Sequence, residues 1–110
     1  MYNPKPYTPL VHWHLRFYFS APYRTGFRTE LAKKQFHAVK NVLSELSDGE
    51  VGILRAIIAK PDGYRDLEDT YIQHRLAERG MSEREISRFY SLLQAVDKRI
   101  AIALSYIDDE

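Results

Sequence analysis

Residues 80–107 read GMSEREISRFYSLLQAVDKRIAIALSYI, and the period of the apolar positions in this stretch sets the fold class. Ile86, Leu93, Ile100 and Ile107 fall seven residues apart, with Phe89, Val96 and Ala103 three places after the first three. That spacing is the seam of a helix running over several heptads. Leu92, Ile102, Leu104 and Tyr106 widen the apolar face beyond a two-stranded seam. A helix over Glu83–Ile107 at the centre of a bundle is one reading, and a dimer-forming helix pair shares the pattern. Asp108, Asp109 and Glu110 place acids where the helix dipole disfavours them, so this end is expected to fray.

The start of that helix carries the motif S-x-x-E, Ser82 to Glu85, and the same motif recurs at Ser47 to Glu50. Each predicts a capping box, with serine accepting from the third helical amide and glutamate reaching back to the serine amide. Each also offers a hydrophobic staple, Met81 with Ile86 and Leu46 with Val51. Working back toward the N-terminus, the helical period predicts three more helices. One begins near Thr29 and presents Leu31, Ala32, Phe36, Val39, Val42, Leu43 and Leu46, with Lys33, Lys34 and Lys40 outside the stripe. A second runs over Asp48–Lys60 and buries Val51, Leu54, Ile57 and Ile58, ended by the turn residues Pro61-Asp62-Gly63. A third runs over Arg65–Arg79 on Leu67, Tyr71, Ile72 and Leu76, and Gly80 stops it.

The first residues read differently. Positions 1–9 hold three prolines and two tyrosines, which predicts an extended arm. Val11, Trp13, Leu15, Phe17 and Phe19 then alternate with His12, His14, Arg16, Tyr18 and Ser20. Strict alternation predicts a short strand over 11–19 with one buried face; a helix is the second choice. The expected plan is therefore mainly α: an arm with a strand over 1–28, then a small domain of about four helices over 29–110, its C-terminal half resembling a helix-turn-helix.

Composition excludes several classes. The chain has 110 residues, enough for one domain with its own core. It has no cysteine, so disulfides, cysteine-based zinc sites and thiol nucleophiles are excluded. No apolar run approaches the length of a membrane span, and the N-terminus lacks the pattern of a signal peptide, which makes a cytoplasmic protein the expectation. The net charge is +1, but residues 1–45 carry seven basic side chains against two acids, and the remainder nine against thirteen. A polyanion would favour the first part.

The function-bearing motif is Gly80-Met81-Ser82-Glu83-Arg84-Glu85-Ile86-Ser87-Arg88-Phe89. A turn glycine, an apolar plug and a capped helix anchored by Ile86 and Phe89 form the second half of a helix-turn-helix, spanning about 66–91. Arg84, Ser87, Arg88 and Ser91 would then face outward to read base edges, with Lys33, Lys34 and Lys40 on phosphates. Glu83 and Glu85 at the helix start would repel phosphate, and an ordinary αα-corner with a good cap fits the same residues.

Residues 43–104 also resemble sigma-factor region four and, more closely, the phage late-gene transcription activators of the ArpU/RinA type. The resemblance rests on the block from Leu43 to Leu54, on Gly80-Met81-Ser82 with Ile86 to Tyr90, and on Ala101 to Leu104. It implies a phage or prophage regulator that binds double-stranded DNA beside RNA polymerase, and a homodimer is the expected state. The stretch Pro61–His74 is longer than a compact region four needs.

Other patterns point elsewhere. His12 and His14 on a strand would share one side and suit two metal ligands, with His37 or His74 as a third; solvent-facing histidines explain the pair more simply, and no metal, cofactor or small-molecule ligand is expected. Standard catalytic signatures are lacking, so the chain does not read as an enzyme; Glu50, Asp66, Glu68 and Asp69 read as helix-start acids. The basic, aromatic N-terminal third supplies an alternative, a protein–protein interaction module. Tyr18, Tyr23, Arg24 and Arg28 are its candidate working surface, with Val11, Trp13, Leu15, Phe17 and Phe19 as core or dimer interface.

Overall fold

A computed structural model describes residues 4–59 and 68–108. Among these the chain forms five helices and no strand: α1 (Thr8–Ser20), α2 (Glu30–Leu43), α3 (Asp48–Ile58), α4 (Glu68–Glu78) and α5 (Glu83–Ala103). The turn expected at Pro61-Asp62-Gly63, the start of the third expected helix and Leu67 lie outside the described residues.

The main correction lies at residues 11–19. They are helical, not extended, and the helix begins within the expected arm, at Thr8. Proline did not forbid this. Pro9 sits in the first turn, where its missing N–H would have had no intrahelical partner. The alternation was coincidental: Val11, Leu15 and Phe19, four apart, face inward with Thr8 and His12, while Leu10, Trp13 and Phe17 form the opposite row. α1 packs on α2, α3 and α5, so residues 8–20 share one core with the later helices.

That core is built from Val39, Val42 and Leu43 of α2, Leu54, Ile57 and Ile58 of α3, Ile72 and Leu76 of α4, and Phe89, Leu93, Val96 and Ile100 of α5. The α5 seam is thus covered within the chain by α1, α2 and α3, the arrangement of a central bundle helix. Both capping boxes form with reciprocal hydrogen bonds. Thr29 caps α2 by accepting from the Ala32 amide at 3.0 Å. Leu31, counted in the α2 stripe, is 64% exposed.

Two ends are settled by left-handed residues. Gly80, at φ +63°, terminates α4 as expected. α5 stops at Ala103, short of Ile107, because Ser105 adopts φ +64° and the chain turns back. The Tyr106 amide then donates to Ala101 O at 2.8 Å and the Ser105 amide to Ile102 O at 3.0 Å, a Schellman closure. The C-terminal carbonyls of α3 are satisfied from two other helices. Arg16 Nε of α1 donates to Ile58 O and Arg75 of α4 to Ala56 O, each at 2.6 Å, and the Tyr71 hydroxyl donates to Ala59 O at 2.6 Å. Cationic donors at a helix C-terminus satisfy orphan carbonyls and complement the dipole.

Candidate functional site

The expected reading face on α5 is present as a surface. Arg84, Ser87, Arg88 and Ser91 are all exposed, at the spacing that places them along one side of the helix. Their surroundings are mixed in charge. Arg88 lines a shallow cavity of about 250 Å3 together with Glu50, Glu85, Met81 and Ile53. Glu85 is held below the usual glutamate range, chiefly by its hydrogen bonds with Ser82 and secondarily by Arg88. Two carboxylates, Glu50 and Glu85, therefore share this cavity with the arginine. α4 packs mainly on α3. Lys33, Lys34 and Lys40 are exposed on α2, and none of them lines the cavity around Arg88.

The histidine pair is corrected as well. On a helix, neighbours two apart diverge by about 200°, and each ring finds its own partner. His12 Nε2 lies 2.8 Å from Asp97 Oδ2, with both side chains buried. His14 Nε2 lies 2.8 Å from the Tyr106 hydroxyl, and burial pushes its pKa down. These histidines are buried contacts, His12 with α5 and His14 with the turn that follows it, not solvent-facing groups. Among the described residues no group of three His, Asp or Glu could hold a metal ion. Asp97 was legible as an anomaly, since it sits four residues from both Leu93 and Ala101 on the buried face of α5.

The larger concavity lies elsewhere, between α1, the connection 21–29 and α2. It measures about 720 Å3, and its walls are Trp13, Phe17, Phe27 and Phe36, with His14, Arg24, Arg28 and Gln35 as polar groups. Volumes of roughly 300–1,000 Å3 with apolar walls and few polar groups are typical of binding pockets. Trp13 and Phe17 lie flat on one another, centroids 5.5 Å apart and planes 7° from parallel. Phe36 anchors the floor from α2, 6.2 Å from Phe17 and 5.1 Å from Phe27. The Arg24 guanidinium caps the Phe17 ring at 4.5 Å, a cation–π arrangement. Its Nε is buried and has no hydrogen-bond partner.

The residues chosen from sequence for an interaction surface fall on this region unevenly. Arg24 and Arg28 line the groove. Tyr18 packs behind it, 5.1 Å from Phe36. Tyr23 projects from the connection, 92% exposed. Trp13 and Phe17, expected as core or dimer interface, line the groove, with Trp13 59% exposed. The signal that would have found them is the helical row Leu10, Trp13, Phe17; the strand reading instead merged Trp13 and Phe17 with Val11, Leu15 and Phe19 on one buried face.

No protein-family model matches the chain, and neither a curated protein nor a solved structure matches it. Among the described residues no helix is long and apolar enough to cross a membrane.

Proposed function

We propose that the chain is a non-enzymatic protein-interaction module that docks its partner on the α1–α2 face. The observation that carries this reading is the outward row of α1. Leu10 is 53% exposed and Trp13 59%, Phe17 stacks beneath Trp13, and Leu31 of α2 is 64% exposed one turn before the groove residue Gln35. Exposed aromatic and aliphatic side chains gathered around a groove, with arginine among them, have the make-up of interface hot spots. A core that already uses Val11, Leu15 and Phe19 has no need of this second apolar row.

The test is partner capture followed by reconstitution. A partner identified with the wild-type chain, purified and rebound, should lose affinity by tenfold or more on Trp13→Ser or Leu10→Asp. It should be indifferent to Arg84→Ala combined with Arg88→Ala. The reverse pattern would move the interface to α5.

A second reading is a phage-type transcription regulator that reads double-stranded DNA with Arg84, Ser87, Arg88 and Ser91, as a homodimer beside RNA polymerase. It is favoured by one observation, an exposed arginine–serine face that opens after a left-handed Gly80 and a complete capping box. Fluorescence anisotropy with a duplex at about 50 and 200 mM salt decides it, because phosphate-driven binding collapses over that range. Loss of that binding in Arg84→Ala plus Arg88→Ala would establish it.

A further inference from the structure

Among the described residues, three regions outside the core pair a concavity with chargeable side chains. The cleft of about 370 Å3 beside Lys5, Tyr7, Ser91 and Lys98 has the buried Asp97 in its wall, already engaged by His12. The depression around Arg88 is small and carries its own counter-charges, Glu50 and Glu85. The α1–α2 groove differs from both: it lines two arginines and no acid.

Resting on the interaction reading above, we propose that this groove takes a segment of a partner protein in which a carboxylate side chain stands beside a bulky apolar one. The carboxylate would meet Arg24 and Arg28, and the apolar group would lie against Trp13, Phe17 and Phe27. Four observations carry it. The groove walls are aromatic over about 720 Å3, room for more than one side chain. The positive charge of the two arginines is unmatched by any acid lining the groove. Arg24 is already held over the Phe17 ring, yet its buried Nε donates to nothing, so a planar donor group stands oriented with a bond left to give. Finally, exposed apolar side chains adjoin the groove at both walls, Leu10 one turn before Trp13 and Leu31 one turn before Gln35. That continuity argues for a polypeptide.

Trp13 is the only tryptophan in the chain and lines the groove, so its emission reports occupancy directly. The experiment titrates the full chain with a short tryptophan-free peptide alternating glutamate and phenylalanine. Comparison titrations use the same peptide with glutamine in place of glutamate, the lysine version, and phenylacetate. The expected result is a saturable blue shift at micromolar glutamate peptide, weaker by about tenfold with glutamine, the loss of one charge-assisted hydrogen bond. The lysine peptide should not bind. Arg28→Gln, an exposed change, and Arg24→Lys, which keeps the charge but loses the planar fork, should each weaken the glutamate peptide and leave the glutamine peptide unchanged.

Equal affinity for the glutamate and glutamine peptides would overturn the charge assignment while leaving an apolar docking face. Phenylacetate binding as tightly as the peptide would overturn it in favour of a small-molecule site. A blue shift that grows with protein concentration alone, with a doubled mass by light scattering, would overturn it in favour of a second copy of this chain. No peptide binding, together with a partner that ignores Trp13→Ser, would remove both this proposal and the interaction reading.

Discussion

α1 and α5 are both helices of the same core, yet they announce themselves very differently. α5 opens with a complete capping box and carries a seam at Phe89, Leu93, Val96 and Ile100, with Arg84, Ser87, Arg88 and Ser91 exposed on its surface. α1 has Tyr7 at its N-cap with no side-chain cap, Pro9 in its first turn and apolar side chains on both faces. Inside are Val11, Leu15 and Phe19; outside are Leu10, Trp13 and Phe17. Even its polar residues are inverted, since His12 and His14 are buried while Trp13 between them is exposed. The difference teaches that periodicity marks a helix only when the outward face is polar. An outward face kept apolar hides the helix, and the same residues that hide it are those the groove displays.

The sharpest way to break the α1–α5 union is at its buried polar contact. Asp97→Ala leaves His12 in the core without its carboxylate partner, and a loss of about 3–5 kcal/mol in urea unfolding is expected. Replacing both residues by apolar ones of similar volume should recover much of that loss; if the single change costs under about 1 kcal/mol, the pair is not what joins these helices.

A second contrast sharpens the reading of the two rows. Leu93→Ala, in the fully buried seam, should cost about 2–5 kcal/mol. Trp13→Ser on the outer row of α1 should stay within about 1 kcal/mol in the same assay, despite removing a larger side chain. Equal losses would mean that Trp13 is core after all and would remove the argument for a docking face.

The smallest expected effect is a pH dependence at the other α1 contact. His14 is pushed below its ordinary pKa by burial, so the unfolded chain binds this proton more readily than the folded one. The contribution of neutral His14 is therefore complete above about pH 6.5, the unfolded value, and is lost as pH falls below it. Thermal melts between about pH 7.5 and 5.5 should show a decline that His14→Phe flattens; an unchanged slope would assign the decline to other groups.

Much of the plan was legible because the signals were local. Ser47, Glu50, Ser82 and Glu85 set two helix starts through hydrogen bonds within one turn, and Gly80 set a stop through its own backbone freedom. The stop after α5 was not legible. A serine in the left-handed region is a local cost of about 1–2 kcal/mol, accepted where the Tyr106 amide closes on Ala101 and the Tyr106 side chain reaches His14. The groove was half legible: Arg24 and Arg28 stood out by charge among aromatics, while Trp13 and Phe17 were drawn into a strand that does not form.

By itself the sequence determined a mainly helical chain, the start of α5 and its seam from Phe89 to Ile100, because caps and heptads act between residues three to seven apart. Only the tertiary structure decided that residues 8–20 are a helix. Its inward face is chosen by what waits on the other side, the core of α2, α3 and α5 for Val11 and Leu15, and Asp97 for His12. Those partners lie far along the chain, and with both faces of α1 apolar no short-range pattern selects between them.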